Sequence, residues 1–79
     1  MTTIYYIIEG RGEYTFSSVR VNTKVLNTQR PQDLVPKGAE YAGHYLSNSD
    51  ESINAIGDLR SYCDQLNNES SWWNTSWAN

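Results

Sequence analysis

The sequence has few of the residues that build catalytic sites or covalent staples. Cys63 is the single cysteine and His44 the single histidine among 79 residues. One thiol cannot form an intrachain disulfide, and one Cys with one His cannot supply the four ligands of a structural zinc site. No phosphate-binding glycine loop, nucleophile–histidine set or paired carboxylate motif is present. We therefore expect no catalytic residue, no cofactor and no metal, and predict that the protein is not an enzyme.

Long apolar runs and a targeting signal are also lacking. No stretch approaches the roughly 18 apolar residues that a membrane-spanning helix needs. The first ten residues, MTTIYYIIEG, carry neither a basic region nor a small-residue cleavage site. With the lone thiol, these features predict a cytoplasmic protein that makes no membrane contact.

Aromatic residues are abundant by contrast. Six Tyr, three Trp and one Phe make up 13% of the chain. A domain of this size buries only about 60% of the surface that its unfolded chain exposes, so large apolar side chains must supply the core. We predict one packed domain over residues 1–79 and not a disordered chain.

Two segments show the alternation of simple strands. Residues 3–9 are β-branched or aromatic and apolar on both faces, which is typical of a central strand. The glycines of the following EGRG predict a tight reversal. Residues 39–46 form another predicted strand, with Tyr41 and Tyr45 on one face and His44 on the other. A partly buried, hydrogen-bonded His44 is the favoured interpretation of that histidine.

The segment between them changes phase. In residues 13–26, Tyr14 and Phe16 fall on one parity, and the valines that follow fall on the opposite one. Either a bulge at Ser17-Ser18 or a division into two strands would explain this change. Residues 27–38 hold two prolines and a glycine and are predicted to be a loop, with one 3₁₀ turn around Asp33-Leu34.

Residues 49–67 have helical periodicity. Asn48 or Ser49 can cap the start, and Glu51 both completes a capping box with Asn48 and suits the positive end of the helix dipole. Cys63 is interpreted as a small core residue. The predicted apolar stripe consists of Ile53, Ile56, Leu59, Cys63 and Leu66.

All three tryptophans, Trp72, Trp73 and Trp77, lie in the last segment. Trp73 and Trp77 share a face in a period-two pattern, which predicts a Trp-rich tail or strand at residues 71–77. Because a sheet covered by one helix leaves its other face open, we expect the tail to be divided between core and binding surface. The predicted fold is α+β in the order β-β-β-α-β, a small antiparallel sheet of three or four strands on one amphipathic helix.

Charge is unevenly distributed along the chain. The net charge is −3; residues 1–40 carry five basic and four acidic residues, whereas residues 41–79 carry one basic and five acidic residues. An acidic helix face could meet a basic partner, such as a nucleic-acid-binding protein of the host. The candidate partner-binding residues are Trp72, Trp73, Trp77, Glu51, Asp58 and Asp64.

A short, acidic, aromatic-rich and motif-free chain resembles the small accessory proteins of bacteriophages, including anti-restriction and anti-CRISPR inhibitors. This resemblance in size and composition implies a non-enzymatic protein-binding module that occludes a larger partner protein. The alternative is a single-stranded nucleic-acid-binding module that uses the basic N-terminal half, although a pI of about 4.8 disfavours phosphate binding. An uncovered strand edge would also permit a homodimer.

Overall fold

A computed structural model describes the backbone of residues 1–78 and the side chains of residues 1–68. The strands and the helix are β1 (Thr2–Gly10), β2 (Glu13–Val21), β3 (Glu40–Leu46) and α1 (Asp50–Ala78). Two 3₁₀ helices, Thr23–Asn27 and Pro31–Leu34, lie between β2 and β3. The α+β prediction is confirmed: a three-stranded antiparallel sheet packs on one helix.

The strand that is apolar on both faces lies in the middle of the sheet, as predicted. The strand order is β2-β1-β3, so β1 has a neighbour on each side. Tyr5 and Ile7 belong to the core cluster that includes the helix. Ile4 points to the opposite face and is fully buried, with 0% of its surface exposed. Burial on both faces explains why this segment lacks a polar side.

The face of the sheet opposite the helix is partly covered, which corrects the expectation that it is open. The chain between β2 and β3 lies there: Thr23 Oγ1 and Thr2 Oγ1 share a hydrogen bond of 2.9 Å. The 3₁₀ helix Pro31–Leu34, at the predicted turn, contacts β3. Segments outside the regular helix and strands therefore shield Ile4 from water.

The change of phase in the second segment does not arise from a bulge or from two strands. β2 pairs with β1 in unbroken register, from Thr2 opposite Val21 to Gly10 opposite Glu13. Phe16 packs against the helix side, whereas Val19 lies opposite Ile4 on the other face. The two apolar sets thus serve two different covered faces. The strand also ends at Val21, and the predicted last residues of it form the first 3₁₀ helix.

β3 contains the bulge that the sequence analysis did not predict. Its register against β1 shifts by one residue, and Gly43 adopts a φ of +116°. Tyr41 and His44 consequently share the face away from the helix, and Tyr41 Oη and His44 Nδ1 lie 2.6 Å apart. Tyr45 turns to the helix side, where its ring centroid lies 6.2 Å from that of Tyr5. The predicted pairing of Tyr41 with Tyr45 on one face is therefore wrong.

The buried stripe of α1 is rotated away from the predicted one. Ile53 and Ile56 are 60% and 38% exposed, so neither is a core residue. Ser52 is buried instead, and Tyr5 Oη donates a hydrogen bond of 3.1 Å to its carbonyl oxygen. The helix side chains buried against the sheet are Ser52, Ala55, Leu59 and Cys63.

The start of α1 agrees with the predicted Ser49 cap but lacks the capping box, and its end differs from the sequence-based prediction. Ser49 caps the start, since its Oγ accepts a hydrogen bond of 3.2 Å from the N–H of Ser52, and the predicted box with Glu51 is not formed. The helix continues to Ala78, so the predicted strand at 71–77 is wrong. A spacing of four residues, as between Trp73 and Trp77, fits a helix as well as a strand. The side chains of the three tryptophans lie outside the described residues, and their division between core and interface stays a prediction.

Candidate functional site

The β1–β2 hairpin determines which backbone groups of β2 point outward. Arg11 and Gly12 form a two-residue loop with φ values of +57° and +78°, which is the geometry of a type I′ turn. The residues that flank such a loop, Gly10 and Glu13, form a hydrogen-bonded pair. Because this pattern alternates, the even-numbered residues of β2 direct their N–H and C=O groups away from β1.

Asn67 of α1 bonds to the outward backbone groups of one of these residues, Tyr14. The Tyr14 N–H donates to Asn67 Oδ1 at 2.7 Å, and Asn67 Nδ2 donates to the Tyr14 carbonyl oxygen at 3.0 Å. The side-chain amide therefore imitates a neighbouring strand over one residue. It also verifies the outward direction of the even-numbered residues. The amide closes the edge of β2 at the Tyr14 end.

The remaining edge of β2 is uncovered. Phe16, Ser18 and Arg20 direct their backbone groups outward by the same alternation. In the part of the chain that the structure describes, no group hydrogen-bonds to these three residues along that edge. An edge with unpaired N–H and C=O groups is a template for another strand.

A groove between β2 and α1 runs beside this edge. It consists of two cavities of about 380 and 320 Å³, which have Phe16 and Arg60 in common. Ile53 and Ile56, the exposed isoleucines of α1, line the larger cavity. The groove thus offers apolar surface directly next to unpaired backbone groups.

The groove carries both signs of charge. Arg20 and Arg60 line the larger cavity, and Glu13 and Asp64 line the smaller one beside Arg60. The ion pair found among the described side chains, Arg30 with Asp33, lies elsewhere. Neither guanidinium group has a carboxylate within salt-bridge distance among those side chains, and both stay available to a bound segment.

The predicted acidic residues do not form one surface. Glu51, Asp58 and Asp64 are all exposed on α1. Glu51 and Asp58 are seven residues apart and share one side of the helix, whereas Asp64 lies about 120° away at 100° per residue. Asp64 belongs to the β2 groove, and the other two belong to the solvent side. Trp72, Trp73 and Trp77 fall outside the described side chains.

Sequence reasoning missed the residues that define the groove. Asn67 is the last residue of the predicted helix, and its pairing with Tyr14 joins positions 53 residues apart. No local pattern reveals such a contact.

His44 and Cys63 have structural surroundings. His44 is exposed and pairs with the Tyr41 hydroxyl, and burial, with a smaller effect of Tyr45, raises the pKa of Tyr41. Cys63 is 4% exposed within the core cluster, which confirms its predicted core position. Burial, with a smaller effect of Asp64, raises the pKa of the Cys63 thiol. A raised pKa is the opposite of what a nucleophilic thiol needs.

Nowhere among the described residues do three or more His, Cys, Asp or Glu side chains gather in a way that could hold a metal ion. No helix in that part of the chain combines the length and apolar character needed to cross a membrane.

Comparisons of this chain with family models, with curated proteins and with solved structures found no match.

Proposed function

We propose that this protein is a non-enzymatic protein-binding module that holds an extended segment of another polypeptide as an added strand on β2. The observation that carries the proposal is the uncovered edge at Phe16, Ser18 and Arg20 beside the exposed apolar groove. Main-chain hydrogen bonds to such an edge supply affinity, and side-chain pockets next to it supply specificity.

The groove also indicates which segment would bind. Every second side chain of an added strand would point toward α1, where Ile53 and Ile56 offer apolar contact. Arg20 and Arg60 would pair with a carboxylate on the same segment, and guanidinium groups bind carboxylates with two parallel hydrogen bonds. The preferred segment is therefore extended, apolar and acidic.

The biological class that we propose is a small inhibitor or accessory protein of bacteriophage type, which occludes a larger partner protein in the cytoplasm. Its support is the resemblance in length, acidity and aromatic content described above. In this proposal, Glu51 and Asp58 form a second, solvent-facing contact for a basic partner surface.

A second candidate function is binding of single-stranded nucleic acid. Arg20 and Arg60 share the groove with Phe16, and arginines beside an aromatic ring can hold phosphates and a stacked base. The net charge of −3 works against it. A salt titration with a short oligonucleotide separates the candidates, because phosphate binding at low salt must weaken steeply as salt rises.

The test of the proposed function is capture of proteins from a bacterial lysate by immobilised wild type and variants. Ser18→Pro removes one outward N–H from an edge strand, and Ile53→Asp places a charge in the groove. Asn54→Asp is the control, since Asn54 is exposed on α1 and lines neither cavity of the groove. We expect at least one captured protein to be lost with both groove variants and retained with the control. If every captured protein were retained by both groove variants, the proposal would be refuted.

A further inference from the structure

The unpaired groups of β2 have a symmetry that identifies an occupant. Once Asn67 has closed the edge at Tyr14, the outward residues are Phe16, Ser18 and Arg20, centred on Ser18. An antiparallel pair of identical strands with a two-fold axis at Ser18 would pair all three positions. Phe16 would lie opposite Arg20 of the other copy, and Ser18 opposite Ser18. Every outward group from Phe16 to Arg20 would then be satisfied on both chains.

We infer that, in the absence of an acidic partner segment, the β2 edge pairs with β2 of a second copy of this chain, in antiparallel register about Ser18. This inference rests on the proposed strand addition to β2. It joins two three-stranded sheets into a continuous six-stranded sheet, with both helices on the same face. The interface is isologous, because the same patch is used on each copy.

The side chains in this register are complementary. Residues directly opposite in an antiparallel pair share a face, so Phe16 and Arg20 of the other copy would both lie on the helix side. A guanidinium group over an aromatic ring is an attractive contact. The small Ser18 pair at the axis leaves space for these larger neighbours. The larger cavities of the two copies meet across the axis, where Ile53 and Ile56 of each would lose contact with water.

The charges permit this register. Residues 14–22 contain no carboxylate, and Arg20 is their single charged residue. The two Arg20 side chains would be displaced along the strands by four residues, about 14 Å at about 3.4 Å per residue. That separation exceeds the Debye length of about 8 Å at physiological salt, so their repulsion is weak. Glu51 and Asp58 lie on the solvent side of α1, away from the axis.

A register with its axis at Ser17 is less suitable. An axis at Ser17 would pair Tyr14 with Arg20 of the other copy, but the outward groups of Tyr14 are already bonded to Asn67. Breaking two short hydrogen bonds would offset the two that form. Asn67 therefore sets the register as well as closing the edge. Any other protein that binds this edge must displace the second copy, so self-association regulates access to the groove.

The first experiment measures mass by sedimentation velocity over a range of micromolar concentrations. We expect wild type to form a dimer in a concentration-dependent manner. Ser18→Pro removes one donor from each chain, hence two hydrogen bonds per dimer, and should weaken dimerisation roughly tenfold to hundredfold with an unchanged circular dichroism spectrum. A wild type that stays monomeric at every concentration would overturn the inference.

A second measurement reports the register and keeps the test decisive if the proline variant fails to fold. Ser18→Cys should oxidise to a covalent dimer, because hydrogen-bonded positions opposite each other are about 5.5 Å apart at Cα, within disulfide reach. Thr15→Cys is the matched control: Thr15 is exposed on the same strand but would lie opposite Val21, far from its own counterpart. Wild type controls for the buried Cys63. Equal cross-linking of both variants would refute the Ser18 axis.

The two proposals can fail separately. A monomeric wild type whose lysate capture still depends on Ser18 and Ile53 would refute the second copy as occupant and retain strand addition. A dimer that Ser18→Pro leaves intact would show that the copies associate elsewhere, and it would overturn the inference. A wild type that neither dimerises nor captures any protein through the β2 edge would refute strand addition itself.

Discussion

The two outer strands of the sheet differ in how readily their edges can pair with another strand. β2 is nine residues long and pairs with β1 without interruption, so it presents a straight edge with unpaired groups at Phe16, Ser18 and Arg20. β3 is seven residues long and is bulged at Gly43. Short length and a bulge are means by which natural proteins prevent a strand from pairing with another chain. The molecule therefore protects one edge and offers the other.

The helix reinforces this difference at one end of β2. Asn67 closes the edge only at Tyr14, and the groove beyond it stays open between the strand and Ile53. An open edge flanked by apolar surface is a hazard for aggregation unless it has a specific occupant. This contrast is the physical basis for assigning binding to β2 and a structural role to β3. Four predictions test it.

The largest effect should come from the core that supports both edges. Leu59→Ala should lower the free energy of unfolding by about 2–5 kcal/mol, because Leu59 is buried in the cluster with Tyr5 and Ile7. Ile56→Ala should cost less than about 1.5 kcal/mol, since Ile56 is already 38% exposed in the groove. Urea unfolding of both variants measures the difference. Equal costs would mean that α1 packs through the Ile56 side and that the groove is closed.

The protected edge depends on Gly43. Gly43→Val should lower the free energy of unfolding by roughly 1–3 kcal/mol, because φ is +116° and an added Cβ would lie 3.2 Å from Tyr45 Oη. Gly10→Val is the matched control, since no atom lies within 4 Å of its added Cβ, and its effect should stay below about 0.5 kcal/mol. Thermal unfolding compares them. If Gly43→Val were as stable as wild type, the bulge that protects the edge of β3 would not depend on Gly43.

The uncovered edge of β2 should extend to Tyr14 when Asn67 no longer bonds to it. Asn67→Ala deletes two hydrogen bonds to the backbone of Tyr14 and should lower the free energy of unfolding by about 1–2 kcal/mol. Asn68→Ala is the control, because Asn68 is the exposed neighbour of Asn67. This variant should leave the free energy of unfolding unchanged or raise it slightly, since Ala favours a helix more than Asn does. Hydrogen exchange at the Tyr14 amide should accelerate in Asn67→Ala alone. Unchanged exchange would show that this edge is not closed by Asn67.

Sequence reasoning reached the parts of this molecule that depend on local patterns. The two-sided apolar character of residues 3–9 placed β1 at the centre, and the glycines of EGRG located the hairpin turn. The position of Cys63 in the core followed from helical periodicity. These features depend on neighbouring residues, whose spacing the sequence displays directly.

The features that define the candidate site depend on distant residues. The bulge at Gly43 changes which side chains share a face of β3, and one inserted residue leaves no distinctive pattern. The contact of Asn67 with Tyr14 links the second half of α1 to the start of β2. The rotation of α1 that exposes Ile53 follows from how the sheet is covered on both sides. Such features require the three-dimensional arrangement.

The smallest effect concerns the thiol beneath the groove. Cys63 lines the smaller cavity on the β2 side, and burial, with a lesser effect of Asp64, raises its pKa above the ordinary thiol range. In the pH interval between the ordinary and the raised pKa, the unfolded chain has lost the thiol proton and the folded chain retains it. Stability is therefore fully present below the ordinary pKa of about 8.5 and declines as pH rises above it.

Urea unfolding of wild type and Cys63→Ala at several alkaline pH values isolates this contribution, because the alanine variant lacks the titrating group. We expect the stability of wild type to fall more between neutral and alkaline pH than that of the variant. Alkylation of the native thiol should also be slower than in the unfolded chain, and slower still where the second copy covers the groove. Fast alkylation of the native protein, with parallel pH profiles for the two chains, would show that the β2 side of the core is open to solvent down to Cys63. The groove beside β2 would then extend down to Cys63, and Cys63 would not be part of a closed core.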